Sequence, residues 1–265
     1  MTRTAHAIAL VLLVATVATA QEPYEGQTLV SPMNSSVSYL IEMDGSVTET
    51  WHGASDPASM PYLLDDGSIL RPCKDLTGAF EGGGSGGRIQ RIDSDDVVVW
   101  DYYFSTSDYQ QHHDIQPLPN GNVLLIAWEL KTGQEAIDAG RESVGSEMWP
   151  TLIVEVEPVG AAGGNVIWEW HLWDHLIQDA DAAKPSYGVV TDHPELVDIN
   201  YGNAGGPGGG GDWIHANAID YNEELDQIVF SSRAFNEIYV IDHSTTTAEA
   251  AGHAGGNSGM GGDIL

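Results

Sequence analysis

Three short segments gather the side chains able to do chemistry: Gln111-His112-His113-Asp114, Asp212-Trp213-Ile214-His215-Ala216-Asn217 and Ser231-Ser232-Arg233-Ala234-Phe235-Asn236-Glu237. Arginine offers a planar, permanently charged fork that matches sulfate or phosphate oxygens. Histidine can donate to the same oxygens, act as a nucleophile, or protonate a leaving phenolate near neutral pH. Two histidines, an arginine and an amide therefore suit transfer of an anionic oxo-group. Neither a nucleophile elbow with a Ser-His-Asp order nor a P-loop lysine motif is present. The candidates are His113, His215 and Arg233 as catalytic groups, with His112 and Asn217 as substrate-binding ones. His112 is also the substitute should His113 be misplaced.

Each residue alone has a plainer explanation. His112 or His113 fits a structural histidine bonded to a turn, Arg233 fits an ion pair with Glu237, and Asn217 fits a turn cap. His-His-Asp also offers metal ligands, but its spacing is not that of a zinc site, and neither metal nor cofactor is expected. What favours function is the place of these residues in a repeat, on a chain with only 9 basic side chains.

The elements that must position them are β-hairpins, so the expected fold class is all-β. Tyr39–Trp51 reads as strand, tight turn, strand, and Tyr62–Leu70 as a second hairpin on an Asp-Gly turn. The order returns at Arg88–Trp100 with Ile115–Ile126, then at Leu152–Trp170 with Ala218–Ser232, and a fourth copy opens at Glu237–Asp242. Two hairpins per copy, at a spacing of roughly 50 residues, is the size of a propeller blade. A β-sandwich is the competing architecture. Trp51, Trp100 and Trp168 fall at matching points and are expected to pack between blades. In a strand, Trp213, His215 and Asn217 would share one face, and equivalent positions of successive blades converge on the central channel, where His113 would join them. The third copy carries a long insertion at about 172–211, with one helical turn or two expected within Trp173–Asp179. The glycines of Gly82–Gly87 precede a strand and no helix, which argues against a dinucleotide site. Asp263-Ile264-Leu265 reads as the start of a further strand. Three to four blades do not close a ring, which points to a C-terminally truncated chain.

Composition narrows the partners. The chain is 42% hydrophobic with 8 Trp and 10 Tyr, enough for a packed core. With 39 acidic side chains its net charge is −30, which opposes nucleic acid and anionic membranes as partners. An anionic substrate would be repelled at long range too, so its site needs local positive donors. Residues 1–20 read as a signal peptide: Arg3, an apolar run from Ala7 to Ala18, and a cleavage site after Ala20. The domain is then 21–265, periplasmic or secreted. Cys73, the lone cysteine, has no internal disulfide partner.

At the three chemical segments, and at Leu29–Asn34 with Tyr39-Leu40-Ile41, the sequence resembles the bacterial arylsulfate sulfotransferases over nearly the whole mature chain. That resemblance implies a six-bladed propeller outside the cytoplasm. It also implies sulfuryl transfer from an aryl sulfate donor to a phenol acceptor without a nucleotide donor, by way of a sulfated histidine. Supporting histidines and an arginine, which bind sulfuryl oxygens or move protons, fall by motif on His113, His215 and Arg233. The family's sulfated histidine lies in a later blade that nothing before Leu265 matches, and His253, in a glycine-rich loop, is not a convincing substitute. A non-catalytic propeller that binds ligands or proteins at its rim is the alternative, and a quinone-type dehydrogenase propeller is disfavoured because no tryptophan motif repeats at blade ends. The sequence leaves open whether two copies pair as a homodimer.

Overall fold

Val123–Glu129 is buried along almost its whole length, the signature of a strand flanked on both faces and both edges. Strands such as Val47–His52 are instead mostly exposed and end a sheet. These two patterns organise the computed structural model, which describes residues 24–205 and 210–265. The segment 1–20, read above as a signal peptide, and residues 206–209 of the second glycine run lie outside the described residues. Among those described, no helix is long and apolar enough to cross a membrane.

Four antiparallel meanders follow one another along the chain. The first holds β1 (Thr28–Val30), β2 (Val37–Ile41) and β3 (Val47–His52); the second holds β4 (Tyr62–Leu63), β5 (Ile69–Lys74), β6 (Gly87–Ile92) and β7 (Val98–Tyr103). The third runs β8 (Tyr109–Pro117), β9 (Val123–Glu129), β12 (Thr151–Val159) and β13 (Gly163–His171). Between its second and third strands the chain leaves the sheet through β10 (Lys131–Thr132), helix α1 (Gly133–Asp138) and β11 (Glu147–Met148). The fourth sheet is β16 (Ala216–Asn222), β17 (Gln227–Ser232) and β18 (Glu237–Asp242). It is reached through a connection that carries the short parallel pair β14 (Leu176–Ile177) and β15 (Val197–Asp198). After β18 comes the one-turn helix α2 (Thr247–Ala250). Sheets of three or four up-and-down strands laid side by side are the blades of the expected all-β propeller.

The tryptophans link each blade to the next. Trp51 packs with Leu40 of its own sheet and Ile69 and Ile92 of the second. Trp100 donates its indole N–H to Gly163 O (2.8 Å) in the third sheet. Trp168 donates to Thr245 Oγ1 (3.2 Å) just beyond the fourth.

The phase of the repeat differs from the sequence expectation. Each hairpin was located correctly, but the pairing β5–β6 joins hairpins assigned to different copies. A repeat of two hairpins has no intrinsic starting point, and only the sheet pairing sets one. The long segment 172–211 is accordingly a connection between blades, not an insertion within one. Of the helical turns expected over Trp173–Asp179, one forms, a 3₁₀ turn over Leu172–Asp174, and β14 follows it. Asp263–Leu265 forms no strand: Leu265 N donates to Val240 O (2.9 Å) beside β18, and Ile264 N to Glu195 O (3.0 Å).

Candidate functional site

β8 and β16 are the first strands of neighbouring sheets, and both are irregular at the same height. Register shifts fall between Gln111 and Ile115 in β8, and between Ala216 and Ile219 in β16. Such bulges release one residue from the ladder and re-aim its side chain. Two histidines in the left-handed region sit at these irregularities: His113 at φ +49°, inside the β8 bulge, and His215 at φ +51°, immediately before β16. For a side chain with a Cβ this conformation costs about 1–2 kcal/mol. Asp114 fastens the two bulges together. Its Oδ1 accepts from Ile115 N (3.0 Å) and the Tyr62 hydroxyl (3.1 Å), while Oδ2 accepts from Ile219 N (3.2 Å) across the blade boundary. The His113 and His215 rings thereby meet edge to face with centroids 4.7 Å apart.

The glycine run Gly82–Gly87 forms the floor of this arrangement. Gly84 O accepts from His113 N (2.7 Å), Gly86 N donates to Gln111 O (3.1 Å) and Gly87 N to Gln111 Oε1 (2.9 Å). The His113 ring lies so close that a Cβ on Gly84, whose φ is +79°, would stand 2.2 Å from it. Glycine is required there both for conformation and for space.

His112 faces the interior. It is fully buried, stacked on Trp128 at 4.1 Å, and its Nδ1 lies 2.9 Å from Nδ1 of His113. One of these nitrogens donates and the other accepts. If His112 donates, His113 is left with its proton on Nε2, a donor for an incoming anion. Burial and the neighbouring imidazoles hold His112 well below the usual histidine range. Burial, His215 and Arg233, only partly offset by Asp212, push His113 down to about 4. Both rings are neutral at pH 7.

Asp212 orients His215. This buried carboxylate accepts from His215 Nδ1 through Oδ2 and from the Trp128 indole N–H through Oδ1 (3.1 Å). The His215 proton is thus fixed on Nδ1, which leaves the Nε2 lone pair available, the same logic by which a carboxylate sets the tautomer of a catalytic histidine. Phe80, Trp128 and Trp149 pack into an aromatic cluster behind it. The α1 excursion supplies Trp149, whose backbone N–H donates to Gly211 O (2.7 Å) and holds the approach to Asp212.

The turn after β17 brings in the arginine. Arg233 N donates to His215 O (3.1 Å), and the exposed guanidinium forms no ion pair among the described residues. The suggested partner Glu237 is engaged with the Tyr239 hydroxyl (2.5 Å) instead. Asn217 accepts from Ser231 Oγ (2.6 Å) across the β16–β17 pair, which makes it a brace for the bulge. The expected alternation of Trp213, His215 and Asn217 on one face is not formed. Trp213 precedes the strand and is fully buried, with its indole N–H on Tyr201 O (2.9 Å), because the left-handed turn at His215 breaks the period of two.

The structure therefore brings His113, His215 and Arg233 together, sets His112 behind them as a buried partner, and places Asn217 in support. Sequence reasoning passed over Trp128, Asp212 as an orienting group, and Gly84. Asp212 stands three residues before His215, and a glycine cluster opposite a His-His pair was the available signal for the floor. A cleft of about 350 Å³ lined by Arg91, Trp100, Pro117 and Asn122 contains none of these groups.

The pattern of one protein family, described as Arylsulfotransferase (ASST), matches residues 78–249, a stretch that includes every residue of this site. Comparison with curated proteins returns no match. Among solved structures, hydrazine synthase of Kuenenia stuttgartiensis is 13% identical with a TM-score of 0.49, over 84% of this chain and 53% of that one. A protein of unknown function from Bacteroides caccae is 11% identical with a TM-score of 0.37, over 84% of this chain and 60% of that one. The chain spans little more than half the length of these two.

Proposed function

The chain belongs to the arylsulfotransferase family, and on that premise we propose that it serves sulfuryl transfer from an aryl sulfate ester to a phenolic acceptor, outside the cytoplasm and without a nucleotide donor. In this reaction the bond between sulfur and the aryl oxygen breaks, and the sulfuryl group passes by way of a histidine nitrogen to the acceptor oxygen. The donor phenolate gains one proton and the acceptor phenol loses one. Arg233 holds the sulfuryl oxygens by charge and by its paired N–H groups. His113 adds a neutral donor, and His215, with its Nε2 free, takes and returns the phenolic proton.

One observation carries this reading: two histidines in the left-handed conformation at the first strands of adjacent blades, ring centroids 4.7 Å apart, beside an arginine with no acidic partner among the described residues. Backbone strain of this kind persists where surrounding structure over-determines it, typically at functional sites. On a chain of net charge −30, such a cluster is also the local exception an anion requires. The test is release of 4-nitrophenol from 4-nitrophenyl sulfate with phenol as acceptor, in the native full-length protein. Arg233→Ala and His215→Ala are each expected to lower kcat/KM by about 10²-fold or more. Unchanged turnover in both variants would overturn the assignment.

A further inference from the structure

A second group of histidines lies apart from the first, where the connection after β13 meets the chain beyond α2. His175 and Asp263 are buried, and His253 is exposed at the rim. Both imidazoles direct Nδ1 at the same carboxylate oxygen, Asp263 Oδ1, at 2.8 Å from His175 and 2.7 Å from His253. The other nitrogen of His175, Nε2, lies 2.8 Å from Ala250 O. A carbonyl can only accept, so that nitrogen carries a hydrogen. His175 Nδ1, His253 Nδ1 and Asp263 Oδ1 thus converge within 4.8 Å of one another, three donor atoms of the kinds that bind a divalent cation.

We propose that these three atoms hold a divalent metal of the zinc type. Two imidazoles and a carboxylate are a common donor set for zinc, and donation of the opposite imidazole nitrogen to a backbone carbonyl is the usual outer support of a metal-binding histidine. The pocket is shaped around the ring. His175 stacks on Trp170 with centroids 5.4 Å apart, and a Cβ on Gly262 would stand 2.7 Å from His175 Nε2. Trp170 in turn donates its indole N–H to Gly262 O (2.6 Å). The exposed side, at His253, leaves room for a water as a further ligand. The ion ties the tail after β18 to the connection between the third and fourth blades, independently of the sulfuryl site. Its ligands come from positions 175, 253 and 263, too dispersed for any sequence spacing to signal zinc.

The full chain, stripped with a chelator and freed of it, is titrated with Zn²⁺ by calorimetry and with Co²⁺ by visible absorption. One equivalent should bind, with a Co²⁺ spectrum of low coordination number. His253→Ala, an exposed position whose loss leaves the core intact, and Asp263→Asn should each weaken binding by more than the roughly tenfold that an outer partner costs. His52→Ala, exposed on the first blade, and His215→Ala should leave it unchanged. Absence of stoichiometric binding, or equal binding in His253→Ala and the parent, overturns the proposal in favour of a buried imidazolium–carboxylate pair.

Discussion

Asp212→Asn separates orientation from mere support. The parent carboxylate accepts two hydrogen bonds in a buried place, from Trp128 and from His215. Asparagine keeps the shape and one acceptor oxygen, so the Trp128 bond can survive. Its amide nitrogen then faces His215 Nδ1 and donates to it, which drives the imidazole proton to Nε2. A hydrogen bond to a charged group contributes about 1.5–3 kcal/mol, so stability should fall by about 2 kcal/mol and the melting temperature by several degrees. The same energy, if it acts only through orientation, is worth about 30-fold in rate. Inversion of the tautomer adds to this, since removal of the orienting charge from an aspartate–histidine pair can cost on the order of 10⁴. The expected loss in 4-nitrophenol release is therefore between about 10² and 10⁴, with the melt recorded on the same sample. A variant that melts lower yet turns over within threefold of the parent would refute the argument, and Asp212 would be a fold residue alone.

Other perturbations address the remaining supports. Gly84→Ala places a methyl against the His113 ring at a left-handed backbone position; displacement of the ring by about 1 Å should cost about 10²-fold in turnover, and wild-type kinetics would show that His113 is dispensable. His243 lies between Glu155 (2.9 Å) and Asp226 (2.8 Å); burial lowers its pKa, but these two bonds more than offset that and hold it above 6.5. Glu155 is likewise opposed by burial yet held below 4.5 by His243, Asn122 and Asn120. The pair's stabilisation should thus be fully present between about pH 4.5 and 6.5, fading as pH rises through the raised histidine value or falls through the lowered glutamate one. The melting difference between the parent and His243→Gln across pH checks this, and a difference that grows above pH 7 would contradict it. Burial pushes the Cys73 thiol up to about 11, so native protein at pH 7 should resist thiol reagents that label it completely once unfolded; rapid native labelling would show the second blade to be open.

The hairpins were legible because Asp-Gly and Asn-Gly turns between apolar runs are local signals, as at Leu64–Leu70 and Ile115–Ile126. The phase of the blades was not, because the β5–β6 pairing depends on contacts that repeat equally well in either frame. The α1 excursion could have been found: Thr132 and Glu135 spell a capping box, and the structure forms it. Among site residues, His113, His215 and Arg233 stood out by chemical type and by motif. Trp128 did not, because an indole inside an apolar strand reads as core, and its bond to Asp212 spans 84 positions. Nor could sequence alone show that His215 leaves the alternation it was assigned to, since a left-handed turn ahead of a strand shows only in the backbone.

The left-handed backbone at His113 and His215 sets these two positions at odds with their own residues. A glycine would hold either turn with less strain, so the surrounding fold would be easier to form without the imidazoles. A search for a more robust variant that scored only melting temperature would drift toward replacing them. Robustness and chemistry pull in opposite directions at these two positions, and a thermally improved version of this protein should be screened for turnover before it is trusted.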